Sequence, residues 1–227
     1  MGGRGAGYDA PNGSSGNSNF SPYALGSKVA DTVKEALGTK GKSIDMNRAY
    51  KDANPNYDPR GTYAEYTENC QRAIVAYEMR RRGYDVTALP TYQGDTKPQV
   101  AYVDKTGAKH GRWAGAFQGA KPESVKAKNA EGVVKNIQDK MRAFGNGSRG
   151  VVSITYKGKR IGHVFNVEQR GKTTYFVDAQ TGDRIRAKEF FKITDTSTVT
   201  LTRTDNLKIS DRARQFVTSE NSYKRRK

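Results

Sequence analysis

Between residues 70 and 82 the apolar positions recur at helical spacing: Cys70, Ala73, Ile74 and Tyr77 stand at i, i+3, i+4 and i+7. The spacing predicts an amphipathic helix with that stripe turned towards a core. Thr67 or Asn69 can cap its start, and Gly83, just after Arg80-Arg81-Arg82, supplies its stop. A shorter helix is expected over Lys28 to Leu37, with Val29, Val33 and Leu37 on one face and Gly38 beyond it. Another is expected from Lys121-Pro122-Glu123-Ser124 onward. It carries Val133, Val134, Ile137, Met141 and Phe144 on its apolar side and stops at Gly145-Asn146-Gly147-Ser148. Between these helices Tyr84 to Pro90 alternates as a short strand does, and Val100 to Val103 suits a second. The rest of residues 91–122 has no clear period, and the lone Trp113 reads as an anchor for a long loop.

After residue 149 the period shortens from helical to extended. Gly150 to Tyr156, Gly162 to Glu168 and Thr173 to Asp178 are three apolar-rich segments separated by Lys157-Gly158-Lys159 and Arg170-Gly171. Such tight glycine turns join antiparallel neighbours, so a three-stranded meander is expected, with Val199 to Arg203 as a fourth strand. A cysteine-bearing helix followed by antiparallel strands gives the α+β class, with a sheet of about 3–5 strands.

The patterned region is bounded by polar extensions. Residues 1–27 are Gly, Ser, Asn and Pro with scattered tyrosines, and read as a flexible leader. Residues 38–60, punctuated by Asn54-Pro55-Asn56 and Asp58-Pro59, read as loop or linker. Leu207 to Lys227 reads as a weak helix running into a basic tail. The expected organisation is a leader over 1–50, a catalytic domain over 51–205 and a basic C-terminal segment over 206–227.

Composition narrows the function classes. Lysine and arginine number 40 against 23 acidic residues, a net charge of +17 and a pI near 9.9. Such a charge attracts polyanions, so a non-catalytic module binding nucleic acid or a virion is one reading, and a merely soluble basic surface another. A single cysteine excludes a disulfide framework and any multi-cysteine zinc site, and two histidines, His110 and His163, cannot build a histidine-rich metal centre. The sequence has no apolar run approaching ~18 residues and its first residues lack the apolar core of a secretory signal, so no membrane span is expected and export would need another route or a carrier. A zinc nucleobase deaminase is excluded by the missing cysteine ligands and His-x-Glu motif, and no phosphate-cradling glycine loop is present.

Three residues form a chemical set. His163 opens the second strand of the meander and Asp178 closes the third, so the turn at Arg170-Gly171 should bring them together. An acid beside an imidazole orients it and stabilises the imidazolium, and the imidazole can take the proton of a thiol. Cys70 is the only thiol, at a helix start where unpaired N–H groups and the macrodipole favour an anion. Each member also satisfies a plainer reading: a buried apolar-face cysteine, a half-buried strand histidine, and an aspartate opening the turn Ala179-Gln180-Thr181-Gly182.

Asn69-Cys70, Gly162-His163-Val164-Phe165-Asn166-Val167 and Tyr175-Phe176-Val177-Asp178-Ala179-Gln180-Thr181-Gly182 resemble the papain-fold toxin domains known as glutamine deamidases, found in bacterial polymorphic toxins and phage head-associated proteins. The likeness covers roughly Asn54 to Arg203. It implies a papain-like fold, Cys70 as nucleophile, His163 as general base and then acid, and Asp178 as orienting group, with Gln180 at a recurrent family position. Papain-like proteases carry a glutamine six residues before the cysteine as an oxyanion donor, and here that position is Ala64. Asn69, or the backbone N–H groups at the helix start, would have to serve instead.

The implied reaction is conversion of a protein glutamine to glutamate through a thioester, in the cytoplasm of a target cell, and it calls for no metal or organic cofactor. A cysteine peptidase and a transglutaminase use the same first step and remain open. The implied partners are a protein substrate and an acidic inhibitor held by the producer. Steering by the positive surface would make that inhibitor's association rate fall with salt.

Overall fold

The computed structural model describes residues 29–91, 102–103, 109–110 and 112–219. The leader over 1–27 and the basic cluster over 224–227 lie outside the described residues.

The chain begins with α1 (Val33–Leu37), α2 (Met46–Lys51), α3 (Ala64–Thr67) and α4 (Cys70–Arg81). β1 (Thr87–Ala88), β2 (Tyr102–Val103), β3 (Lys109–His110), a 3-10 helix (Arg112–Ala116) and β4 (Glu123–Ser124) lead to α5 (Ala130–Phe144). The second half is β5 (Arg149–Tyr156), β6 (Gly162–Arg170), β7 (Thr173–Asp178), β8 (Asp183–Arg184), α6 (Ala187–Lys192) and β9 (Thr194–Arg203). A second 3-10 helix (Asp211–Gln215) and β10 (Val217–Thr218) follow.

The main sheet is antiparallel throughout and has the order β4-β9-β5-β6-β7-β8. The expected meander is its centre, with Ile154 opposite His163 and Asn166 opposite Val177. β9 returns along the outer side of β5, from Gly150↔Arg203 to Tyr156↔Thr194. Four long strands agree with the expected count, and the two-residue edges β4 and β8 raise it to six.

Alternation along the strands builds two cores. Val151, Val164 and Val177 pack with α4, while Val152, Phe165, Val167, Phe176 and Leu201 pack with Val133, Ile137 and Met141 of α5 and Phe191 of α6. α5 thus presents the apolar side its spacing predicts, but it starts later than expected. Asn129 caps it by accepting from the N–H of Gly132, and Glu123-Ser124 is drawn out as an edge strand opposite Leu201 and Thr200.

α4 departs from the amphipathic expectation because it is covered on nearly every side. Besides the stripe of Cys70, Ala73, Ile74 and Tyr77, residues Val75, Ala76, Glu78, Met79 and Arg80 are buried. The cover comes from both ends of the chain: Leu37 of α1, Met46, Ala49 and Tyr50 of α2, and Ala213, Phe216 and Val217 all join the α4 core. The segment read as linker therefore carries a helix, and the weak C-terminal helix is a 3-10 turn followed by a strand. β10 pairs with β1, placing Thr218 opposite Thr87, and the Phe216 carbonyl accepts from the N–H of Leu89 at 2.9 Å.

Gly83 ends α4 with a positive φ of 101°, and a Cβ there would lie 2.3 Å from the Gly41 carbonyl oxygen. That close approach seats the N-terminal segment against the helix end. The triple arginine is likewise structural. Arg80 donates to Asp85 and Asp52, Arg81 makes two bonds to Glu168, and Arg82 pairs with Glu78. Among the described residues no helix is long and apolar enough to cross a membrane.

Candidate active site

α4 lies along β6 in the same direction. Asn166 donates to the carbonyl of Ile74, and Glu168 meets Tyr77 and Arg81 further along the helix. Cys70, one turn before Ile74, is therefore carried to the beginning of β6, where His163 stands. The end of β7 arrives at the same place because β6 and β7 run antiparallel. Extending their register sets Asp178 opposite Phe165, diagonal to His163 on one face of the sheet.

The diagonal closes into a hydrogen bond. His163 Nε2 lies 2.9 Å from Asp178 Oδ2 and donates to it. Cys70 stands close enough to act on the His163 ring electrostatically. Burial opposes the charged imidazole, but the charge and hydrogen bond of Asp178, reinforced by Cys70, outweigh it and push His163 up to about 10. All three side chains are enclosed: Cys70 is 5%, His163 4% and Asp178 9% exposed. Gly162 lets β6 begin this close to β5, since a Cβ there would sit 2.3 Å from the Ile154 carbonyl oxygen.

Asn69 and Gln180 turn out to brace this end of the fold. Asn69 is the residue before α4, but its side chain caps nothing. It turns inward and donates to Asn54 Oδ1 at 3.0 Å and to the Leu89 carbonyl at 3.2 Å, so both of its amide hydrogens are committed. Thr67, the alternative cap, bonds back to the Ala64 carbonyl. The backbone hydrogen bonds of α4 begin at Arg72 and Ala73, both on the Asn69 carbonyl, and the amides of Cys70 and Gln71 come before them. Gln180 uses its backbone N–H on Asp178 Oδ1 at 3.0 Å and its side-chain amide on the Thr67 carbonyl at 2.8 Å. It thereby orients the carboxylate while tying the end of β7 to the approach to Cys70.

The spacing pattern missed three residues at the site. Asn54, within a stretch read as loop, is buried and donates to the carbonyls of Tyr66 and Gln180 and to Asn69 Oδ1. No local signal distinguishes it from an ordinary Asn-Pro turn residue. Tyr57 is half-buried nearby, its phenol raised by burial and then by the charges of Asp178, Asp183 and Asp58. Phe190 of α6 lies beside the imidazole, its ring tilted by 52° with ring centres 6.3 Å apart. On the other side of Cys70, Gln71 accepts from the backbone N–H of Trp113 at 3.2 Å, and Trp113 is the buried anchor its composition suggested.

A buried helix with a thiol at its amino end, packed on an antiparallel sheet with an imidazole and a carboxylate at the adjoining strand ends, is a papain-like α+β arrangement. Residues 68–183 match the family described as papain fold toxin 1, glutamine deamidase. With half the chain matched, this protein belongs to that family. Comparison with curated proteins and with solved structures gave no match.

Proposed function

We propose that the chain is a cysteine-dependent protein glutamine deamidase, acting as a toxin effector inside a target cell. The observation that carries the reading is the buried imidazole bonded to Asp178 and lying within electrostatic reach of the thiol at the start of α4. Cys70 is the nucleophile, His163 the proton carrier, and Asp178 the group that orients the ring.

The Cys70 thiolate attacks the carbon of a glutamine carboxamide. The negative oxygen is held by the amides of Cys70 and Gln71, since the Asn69 side chain is engaged elsewhere. His163 gives its proton to the nitrogen, the C–N bond breaks, ammonia leaves and a thioester remains. Water then yields a proton to His163 and adds to the carbonyl. The C–S bond breaks, releasing glutamate and restoring the thiolate–imidazolium pair. The catalytic unit extends from about α1 to β10, because both ends contribute to the core around α4.

Expressed in a susceptible cell, the protein should convert glutamine carboxamides of a host protein to carboxylates, read by peptide mass spectrometry. Cys70→Ala should abolish both the conversion and the toxicity while melting like the parent. An equally toxic Cys70→Ala protein would overturn the proposal. Backbone cleavage of the target would replace the deamidase by a peptidase, and attachment of an added primary amine by a transglutaminase.

A further inference from the structure

Tyr156 ends β5 at the same edge of the sheet as Cys70, His163 and Asp178. Ile154 is directly opposite His163, and the N–H of Tyr156 bonds to the Ile161 carbonyl at 3.0 Å, so Tyr156 is the diagonal neighbour of His163 on the opposite side from Asp178. The two rings share a wall: Phe190 lies 6.2 Å from Tyr156, edge to face, and 6.3 Å from His163. Tyr156 is only 8% exposed, and its hydroxyl is buried without a hydrogen-bond partner among the described residues. Burial raises its phenol, and the negative charges of Asp178 and Cys70 raise it further, so the hydroxyl stays protonated within electrostatic reach of the reacting groups.

A buried hydroxyl with no partner sacrifices its hydration for nothing, and phenylalanine would fill the same space. A polar group that enters with the reaction can take that bond. The carbonyl oxygen of a bound carboxamide belongs with the amides at the start of α4. The group beside His163 is the one that exchanges protons with it: the departing nitrogen first, the incoming water second. We propose, resting on the deamidase reading, that the Tyr156 hydroxyl is the hydrogen-bond partner of this exchanged group. Its oxygen accepts one N–H while His163 protonates the nitrogen. It later accepts one O–H of the water whose other proton passes to His163.

The test separates the two half-reactions with p-nitrophenyl acetate as the probe. The Cys70 thiolate displaces p-nitrophenolate, which leaves without needing a proton, and water then clears the acetyl thioester. In Tyr156→Phe the release of p-nitrophenolate in the first turnover should match the parent. Clearance of acetyl-Cys70, followed by intact mass, should slow by about tenfold, the share one neutral hydrogen bond supplies to a transition state. The variant should melt no lower than the parent, because the hydroxyl it removes is unpaired. Parent-like clearance, or an equal slowing of both steps, would overturn the role of Tyr156 and leave the Cys-His-Asp reading standing. If the parent protein forms no acetyl-Cys70, both fall together.

Discussion

In the proposed mechanism His163 is the residue whose charge matters most. Its folded value of about 10 lies above the ordinary ~6.5 of a histidine, so the folded protein holds a proton that the unfolded chain releases. The resulting stability is fully present below about pH 6.5 and is lost as the pH rises through about 10. Between those limits the unfolding free energy should fall by as much as ~1.4 kcal/mol per pH unit from this one group. Urea denaturation of the parent and of His163→Ala across that range measures it, and a slope unchanged in the variant would contradict the charged imidazole. The partners of His163 were legible in sequence because strand period and turn length fix which residues meet. The inward turn of Asn69 was not, because it depends on Asn54, fifteen residues earlier, and on the Leu89 carbonyl.

At the scale of elements, α4 is held to β6 as much by ions as by apolar packing. Glu168 is 1% exposed. It accepts from the Tyr77 hydroxyl at 2.5 Å and from Arg81 at 2.7 and 2.8 Å, and Glu78 plays the same part with Arg82 and Arg149. Removing one partner of such a network leaves the others buried and unpaired. Glu168→Ala should therefore cost about 3–5 kcal/mol, a fall in melting temperature of roughly 10 °C for a chain of this size. A thermal scan showing almost no change would mean that water already serves Arg81 and Tyr77. Long elements were readable from their own residues: α5 from its apolar side, β5 to β7 from alternation and turns. α2 and β10 were not, since elements of two to six residues gain their stability from distant partners rather than from local period. The acids that meet the arginine run could not be read from sequence, because no local pattern reveals them.

For the whole molecule, the ends of the described chain form one wall. Arg214 donates to the Ala30 carbonyl at 2.8 Å, Ser219 to the Glu35 carbonyl at 3.0 Å, and β10 closes on β1 beside the α4 core. A chain ending at residue 205 would uncover that core while keeping every proposed catalytic residue. It should be expressed as a poorly folded protein that binds hydrophobic dye and does not acylate Cys70, and a normally folded, reactive truncation would show the wall to be dispensable. The net charge of +17 also means less as a surface than as a sum, because Arg80, Arg81, Arg82 and Arg149 are already spoken for by acids inside the fold.

The brace formed by Asn54 and Gln180 has a consequence for when the proposed site is assembled. Asn54 reaches a carbonyl 126 positions away, and Gln180 reaches one 113 positions back. Contacts of that span are late and slow to form, because the loop they close must be ordered before they yield anything. A ribosome that has released the thiol, and even the imidazole, has not yet made the strand end that aligns them. On the proposed reading the chemistry therefore waits for the strand end that carries Asp178, and the same delay recurs each time the chain is unravelled and refolds.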